Sequence, residues 1–160
     1  MSSLVKLKAV DQKDFGLVAS LMQDAAIVAS DLHFDQKAKQ FIIMGNRYRW
    51  EQRRPWWQRG LFAKKHPGER IRTALHLNSV LSVKSKGLDV ANKEQVLALL
   101  DIVTTPYDAL GEGLSYIVDL IFAGGVTIQL EVEVLEMFMT DMGEGFEALV
   151  RPDHTKVITE

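Results

Sequence analysis

Residues 115–134, SYIVDLIFAGGVTIQLEVEV, decide how the rest of the chain is read. A run rich in β-branched and aromatic side chains meets AGG, and beyond it Val126, Ile128, Leu130, Val132 and Val134 alternate with Thr127, Gln129, Glu131 and Glu133. Glycine reaches positive φ without steric cost, so AGG makes a tight turn and the flanking runs pair as an antiparallel hairpin. Strict alternation places one apolar face inward and one polar face toward water. Past this hairpin the period changes. Val134, Leu135, Phe138, Met139 and Met142 share a helical face, and Gly143 supplies a stop, which predicts a closing C-terminal helix.

Working back toward the N-terminus, VLALLDIVTT (residues 96–105) carries a β-branched end followed by Pro106 and is expected to be a strand. RIRTALHL (70–77) and SVLSVKSKG (79–87) are expected to pair around Asn78 and Ser79, with Gly87 ending the second strand. AIVASDLHFD (26–35), a polar QKAK turn and QFIIMGNRYRW (40–50) read as another hairpin. At the front, Leu4–Val10 alternates as a short strand. Asp11 offers a side-chain acceptor to the amides that open a helix, whose Phe15, Val18, Leu21 and Met22 recur at helical spacing up to about Asp24. These elements add up to an α+β domain, mainly antiparallel β. About seven hairpin-connected strands follow an N-terminal strand–helix unit and precede the closing helix. That element order matches a pleckstrin-homology-like barrel, a likeness of fold that licenses no function. The domain is expected to span residues 1–150, with an irregular tail at 151–160 rich in Asp, Glu and Pro.

The chain has 160 residues, long enough for one domain to bury roughly 70% of the surface its unfolded form exposes. It contains no cysteine, which excludes disulfides, thiolate metal sites and a cysteine nucleophile. Charges at Lys6, Lys8 and Asp11 interrupt the N-terminus before an apolar core of signal-peptide length builds up. No apolar run approaches the ~18 residues that span a bilayer, so a cytoplasmic protein with no membrane span is expected.

Charge is distributed unevenly. Nine of the nineteen Lys and Arg residues, and all three tryptophans, lie between Arg47 and Arg72 in RYRWEQRRPWWQRGLFAKKHPGERIR. Only Glu51 and Glu69 oppose them, so this stretch carries +7 while the rest of the chain carries −9. Arg and Lys neutralise phosphates and Trp stacks on unpaired bases, so Arg49, Trp50, Arg53, Arg54, Trp56, Trp57 and Arg59 are candidate binding residues for single-stranded RNA or another polyanion. Guanidinium groups also pack on Trp within a chain and concentrate at protein interfaces. The acidic residues from Glu131 onward, Glu133, Glu136, Asp141, Glu144 and Glu147 among them, could neutralise the stretch internally or across a homo-oligomer. Adjacent Trp56 and Trp57 face opposite ways on an extended chain, so one of them suits a protein contact. A non-catalytic protein-interaction or self-association module is preferred, with nucleic acid or another polyanion as the alternative partner.

Other chemistry is sparse. Asp31, His33 and Asp35 share one face of an expected strand and could ligate a divalent metal, but this spacing is common on solvated strands and no metal site is assigned. Glu131 and Glu133 share a strand face and could act as an acid/base pair, though such a face is ordinarily just wet. His66, His76 and His154 are each read as satisfied or solvated. The chain has no phosphate-binding loop, nucleophile elbow, H-E-x-x-H or dinucleotide fingerprint, so no catalytic residue and no cofactor are assigned.

Three segments, FIIMGNRYRWE, ALHLNSVLSVKSKGLD and DLIFAGGVTIQLEVEVLE, resemble a family of small, mostly alphaproteobacterial proteins catalogued as a domain of unknown function. The resemblance runs from about Leu7 to about His154. It implies a bacterial single-domain protein and supplies no activity, cofactor or site residue.

Overall fold

Asp11 begins the only helix among the described residues by accepting a hydrogen bond from the Asp14 amide at 2.7 Å. The helix, α1 (Gln12–Leu21), turns Phe15, Val18 and Ala19 inward, with Met22 following at its C-terminus. The structure, a computed structural model, describes residues 4–49, 70–108, 111 and 113–142. Among the described residues ten strands run around α1: β1 (Lys6–Ala9), β2 (Ala26–Val28), β3 (Leu32–Asp35), β4 (Gln40–Tyr48), β5 (Arg70–Leu77), β6 (Val80–Lys86), β7 (Val96–Tyr107), β8 (Ser115–Phe122), β9 (Val126–Val132) and β10 (Met137–Met142).

All pairings are antiparallel, in the order β1-β10-β5-β4-β2-β7-β8-β9-β6, with β3 added beside β4. Short β2 joins two halves of the sheet, meeting β4 at Ala26↔Asn46 and β7 at Ile27↔Leu97. Both halves turn their apolar rows onto one core. Leu75, Ile43 and Met139 come from the first half, Leu99, Leu120 and Leu130 from the second, and the buried residues of α1 join them.

The central hairpin behaves as its alternation predicts. Phe122↔Val126 closes it, Gly124 and Gly125 take φ of 82° and 79°, and Val126, Ile128, Leu130 and Val132 are buried. Val134 lies beyond the strand end and is 51% exposed, so the inward row stops one position earlier than the sequence pattern suggests. The VLALLDIVTT strand, the Asp11-capped helix and the β3–β4 hairpin also form, the last in the register Asp35↔Gln40.

Several expectations are overturned. The α+β reading with its closing C-terminal helix and pleckstrin-homology-like barrel gives way, among the described residues, to an open sheet of mostly antiparallel β with one α-helix. Where the closing helix was expected, β10 lies between β1 and β5, with Met137, Met139 and Asp141 inward. An acidic residue on the inward row hides the two-residue period, and the remaining apolar positions then mimic a helical face. Two neighbouring strand edges supply the ladder hydrogen bonds that make β10 extended, and this tertiary pairing overrides the local helical pattern. The expected pairing of 70–77 with 79–87 is also absent: β5 lies between β4 and β10, and β6 pairs with β9. Ser79, at φ 59°, sends the chain from one half of the sheet to the other, and Val80 donates its amide to the Lys39 carbonyl. A 3-10 turn at Ala29–Asp31 divides the expected 26–35 strand into β2 and β3.

The junction of the halves depends on Gly45. A Cβ there would lie 2.6 Å from Ile27 Cγ1 and 3.0 Å from the Ala26 carbonyl oxygen, because β2 crosses β4 at this point. Gly45→Ala is therefore expected to destabilise the protein by about 1–3 kcal/mol, the usual cost of overpacking. Chemical denaturation checks this; an unchanged midpoint would mean that β2 moves freely away from β4.

Candidate functional site at the base of the basic segment

The basic stretch leaves and re-enters the fold through one hairpin. Its ends pair as Arg47↔Ile71 and Tyr48↔Arg70, so residues 50–69 are inserted between adjacent strands β4 and β5. Trp50, Arg53, Arg54, Trp56, Trp57 and Arg59, together with Lys64, Lys65 and His66, lie outside the described residues. Of the candidate binding residues, Arg49 alone is described, and it is buried at 6% exposure.

Where β4 and β5 carry the two ends of the stretch, a charged cluster is closed to solvent. Arg47 occupies an inward position on β4 and Asp141 one on β10; both side chains have 0% exposure. The guanidinium meets the carboxylate as a fork, with Nε donating to Oδ1 at 2.8 Å and Nη2 to Oδ2 at 2.6 Å. Thr73 on β5, between them, donates Oγ1–H to Oδ1 at 2.7 Å, and the Val5 amide donates to Oδ2 at 2.9 Å. Arg47 Nη1 also donates to the Tyr48 carbonyl at 3.0 Å. The Asp141 amide in turn donates to the Val5 carbonyl at 2.8 Å, so this carboxylate joins β4, β5, β10 and the chain leading into β1.

Burial by itself would raise the Asp141 pKa. The hydrogen bonds from Arg47, Thr73 and the Val5 amide, with the Arg47 charge, outweigh burial and hold the pKa below its ordinary value.

The rim of the insertion is also satisfied internally. Arg72 Nη2 donates to Asp31 Oδ2 at 3.1 Å, with both side chains nearly buried. Arg70 lies 4.0 Å from the centre of the Tyr48 ring and donates from Nη2 to the Tyr48 hydroxyl at 2.7 Å. Thus the four described arginines of the stretch are buried, paired with carboxylates or stacked on an aromatic ring.

The remaining sequence candidates are dispersed. Asp31 belongs to the 3-10 turn and meets Arg72, Asp35 caps the following turn by accepting from the Ala38 amide, and His33 pairs with Ile42 on β3. Among the described residues no group of three or more His, Asp and Glu side chains is placed to hold a metal. Glu131 stays on β9, while Glu133 lies past its end and meets Lys39 at 3.3 Å, so they form no acid/base pair. His76 lies between Ile42 and Phe138, its Nε2 buried without a hydrogen-bond partner. His154 is outside the described residues. No described helix is long and apolar enough to cross a membrane. Asp141 appeared in the sequence only as one of several acids that could offset the basic stretch. Reading MFMTDM with a two-residue period would have placed it inward, the only sequence signal of its role.

Fold and site together define a small antiparallel β protein that carries a basic, tryptophan-rich insertion on a hairpin whose Arg47 and Arg72 are paired with carboxylates of the fold. The chain belongs to the family described as Protein of unknown function (DUF2948), whose model matches residues 5–154. No curated protein and no solved structure matches it.

Removing the buried carboxylate charge leaves Arg47 uncompensated, so Asp141→Asn is expected to cost about 3–5 kcal/mol at neutral pH. A carboxylate with a depressed folded pKa adds stability that is full above its unfolded value, about 3.9, and is lost as pH falls through the folded value. The gap in thermal midpoint between wild type and Asp141→Asn should therefore be widest near pH 7 and narrow progressively below about pH 4. A pH-independent gap would show that the pair's charge is not what stabilises the fold.

Proposed function

We propose that this protein is a non-catalytic interaction module, bacterial and cytoplasmic, whose contact region is the basic aromatic segment carrying Trp50, Arg53, Arg54, Trp56, Trp57 and Arg59. Its partner is another protein or a second copy of the chain. The observation that carries this reading is the Arg47–Asp141 fork beneath the insertion. A scaffold that fixes both ends of a twenty-residue segment on adjacent strands presents it from a defined place. Use of Arg47 and Arg72 in buried or nearly buried ion pairs removes two cations that a phosphate-binding surface would display, which favours protein over polyanion. The lack of cysteine supports the cytoplasmic placement.

The alternative partner is single-stranded RNA or another polyanion bound by the same segment. All three tryptophans lie within it, so their emission reports on that segment alone. Two measurements separate the partners. Proteins co-purifying with wild type should be lost, or light-scattering mass should fall, in Trp56→Ala and Trp57→Ala, with the folded core unchanged by circular dichroism. Identical capture and mass in both variants would overturn protein contact through this segment. Excess absorbance at 260 nm after low-salt purification, quenching of Trp emission by single-stranded RNA, and a salt dependence flattened by Arg53→Ala with Arg54→Ala would instead establish the polyanion reading.

A further inference from the structure

The outer face of β7-β8-β9-β6 is divided by charge. Across it, in register, run Lys86–Thr127–Ile121–Asp101 and Lys84–Gln129–Asp119–Val103. The cations lie on β6 at one side, and the carboxylates Glu131, Asp119 and Asp101 lie on β9, β8 and β7. Among the described residues, Lys84, Lys86, Asp101 and Asp119 make no ion pair. Asp119 accepts from the Gln129 amide at 3.0 Å, and Asp101 accepts from the Ile102 backbone amide at 2.8 Å. Lys84, Lys86, Asp101 and Gln129 are exposed, and Val103 is 38% exposed, so this face is open to solvent.

The same face has relief. An open recess of about 440 Å³ extends over β9, lined by Lys84, Lys86, Thr127, Gln129, Asp119 and Ile121. Its flank is β8, where Ile117, Asp119 and Ile121 are half-buried.

The geometry points to a second copy of this chain as the occupant, packed face to face about a two-fold axis running along the β8–β9 seam. Rotation about that axis exchanges the strand order while preserving position along the strands. Each β8 then lies over the recess above the other copy's β9, and each β6 lies over the other copy's β7. Lys86 meets Asp101 across the interface, and Gln129 meets Asp119, each twice by symmetry. A two-fold axis perpendicular to the strands would instead oppose β6 to β6 and bring Lys84 and Lys86 against their own copies, so charge selects the axis. The edge of β6 is a poorer contact. Lys84, Lys86 and a bulge between Val80 and Ser82 interrupt it, features that discourage strand-to-strand association.

Four strands at ~4.8 Å spacing and three rows along them give a face of roughly 15–20 Å each way, about 450–800 Å² over both copies, below the ~1,000 Å² of standard specific interfaces and within the range of weak, transient ones. The dimer is therefore expected to form only toward the upper micromolar range. This contact is independent of residues 50–69, so it stands or falls separately from the proposed function.

Charge exchange tests it, read by light scattering and sedimentation from about 1 to 500 μM. Wild type should move from monomer to dimer. Lys86→Asp and Asp101→Lys should each weaken association about tenfold or more, and the double variant Lys86→Asp/Asp101→Lys should recover it, because the swapped charges again face each other. Lys86 and Asp101 are both exposed, so folding should be preserved, which thermal midpoints check. The effects of Lys86→Asp and of its rescue by Asp101→Lys should persist in Trp56→Ala and Trp57→Ala backgrounds, which separates this contact from any association through residues 50–69. A wild type that stays monomeric throughout, single reversals that leave association intact, or a double variant that fails to recover would each overturn the proposal.

Discussion

The Arg47–Asp141 pair is the constraint around which the first half of the sheet is arranged. Two ions removed from water carry a desolvation cost that only near-ideal geometry offsets. Here the fork supplies two charge-assisted bonds, while the Thr73 hydroxyl and the Val5 amide occupy further carboxylate acceptor sites. Each partner comes from a different place: β4, β10, β5 and the residue preceding β1. Slipping any of these strands by one residue would turn its member of the cluster outward and leave the others buried and unsatisfied. The cluster thus specifies register, a role that an apolar substitute of equal volume would not perform. It also explains how β10, the last of the described strands, is held in its alignment between β1 and β5.

This cluster changes the meaning of the charge distribution. The +7 stretch looks like a polyanion surface when counted by composition, yet its two described ends are consumed in holding the hairpin together. Asp141 neutralises Arg47 inside the sheet, and Asp31 meets Arg72 on its other side. The aromatic Tyr48 takes Arg70. Cationic side chains at the base therefore serve the scaffold, and the remaining cations and all three tryptophans belong to the insertion itself. The second half of the sheet has the opposite character: its buried face is purely apolar, and its charges lie outside, segregated by strand.

Elements whose pattern is local were legible from the chain. The β8–β9 hairpin follows from a glycine turn between alternating runs, α1 from the Asp11 cap and its apolar spacing, and the β3–β4 turn from QKAK between two extended runs. Strand β10 was not legible, because Asp141 occupies an inward position that a two-residue pattern requires to be apolar. What permits an acid there is Arg47, ninety-four positions away, and no window of sequence contains both. The separation of β5 from β6 was hidden for the same kind of reason. Asn78 and Ser79 read equally well as a hairpin turn and as a corner between sheet halves, and the choice belongs to β9 and β10, which lie far along the chain.

The sequence by itself determined a cysteine-free chain dominated by antiparallel strands, with one capped helix near its start and a basic, tryptophan-rich insertion. Those properties rest on composition and on side-chain periods within a few residues. Only the tertiary structure decided the strand order, the extended form of 137–142 and the use of Arg47, Arg70 and Arg72. Each depends on a partner distant in sequence: a strand edge in need of hydrogen bonds, a carboxylate or an aromatic face. A buried charge can be recognised as structural only once the residue that neutralises it has been brought beside it.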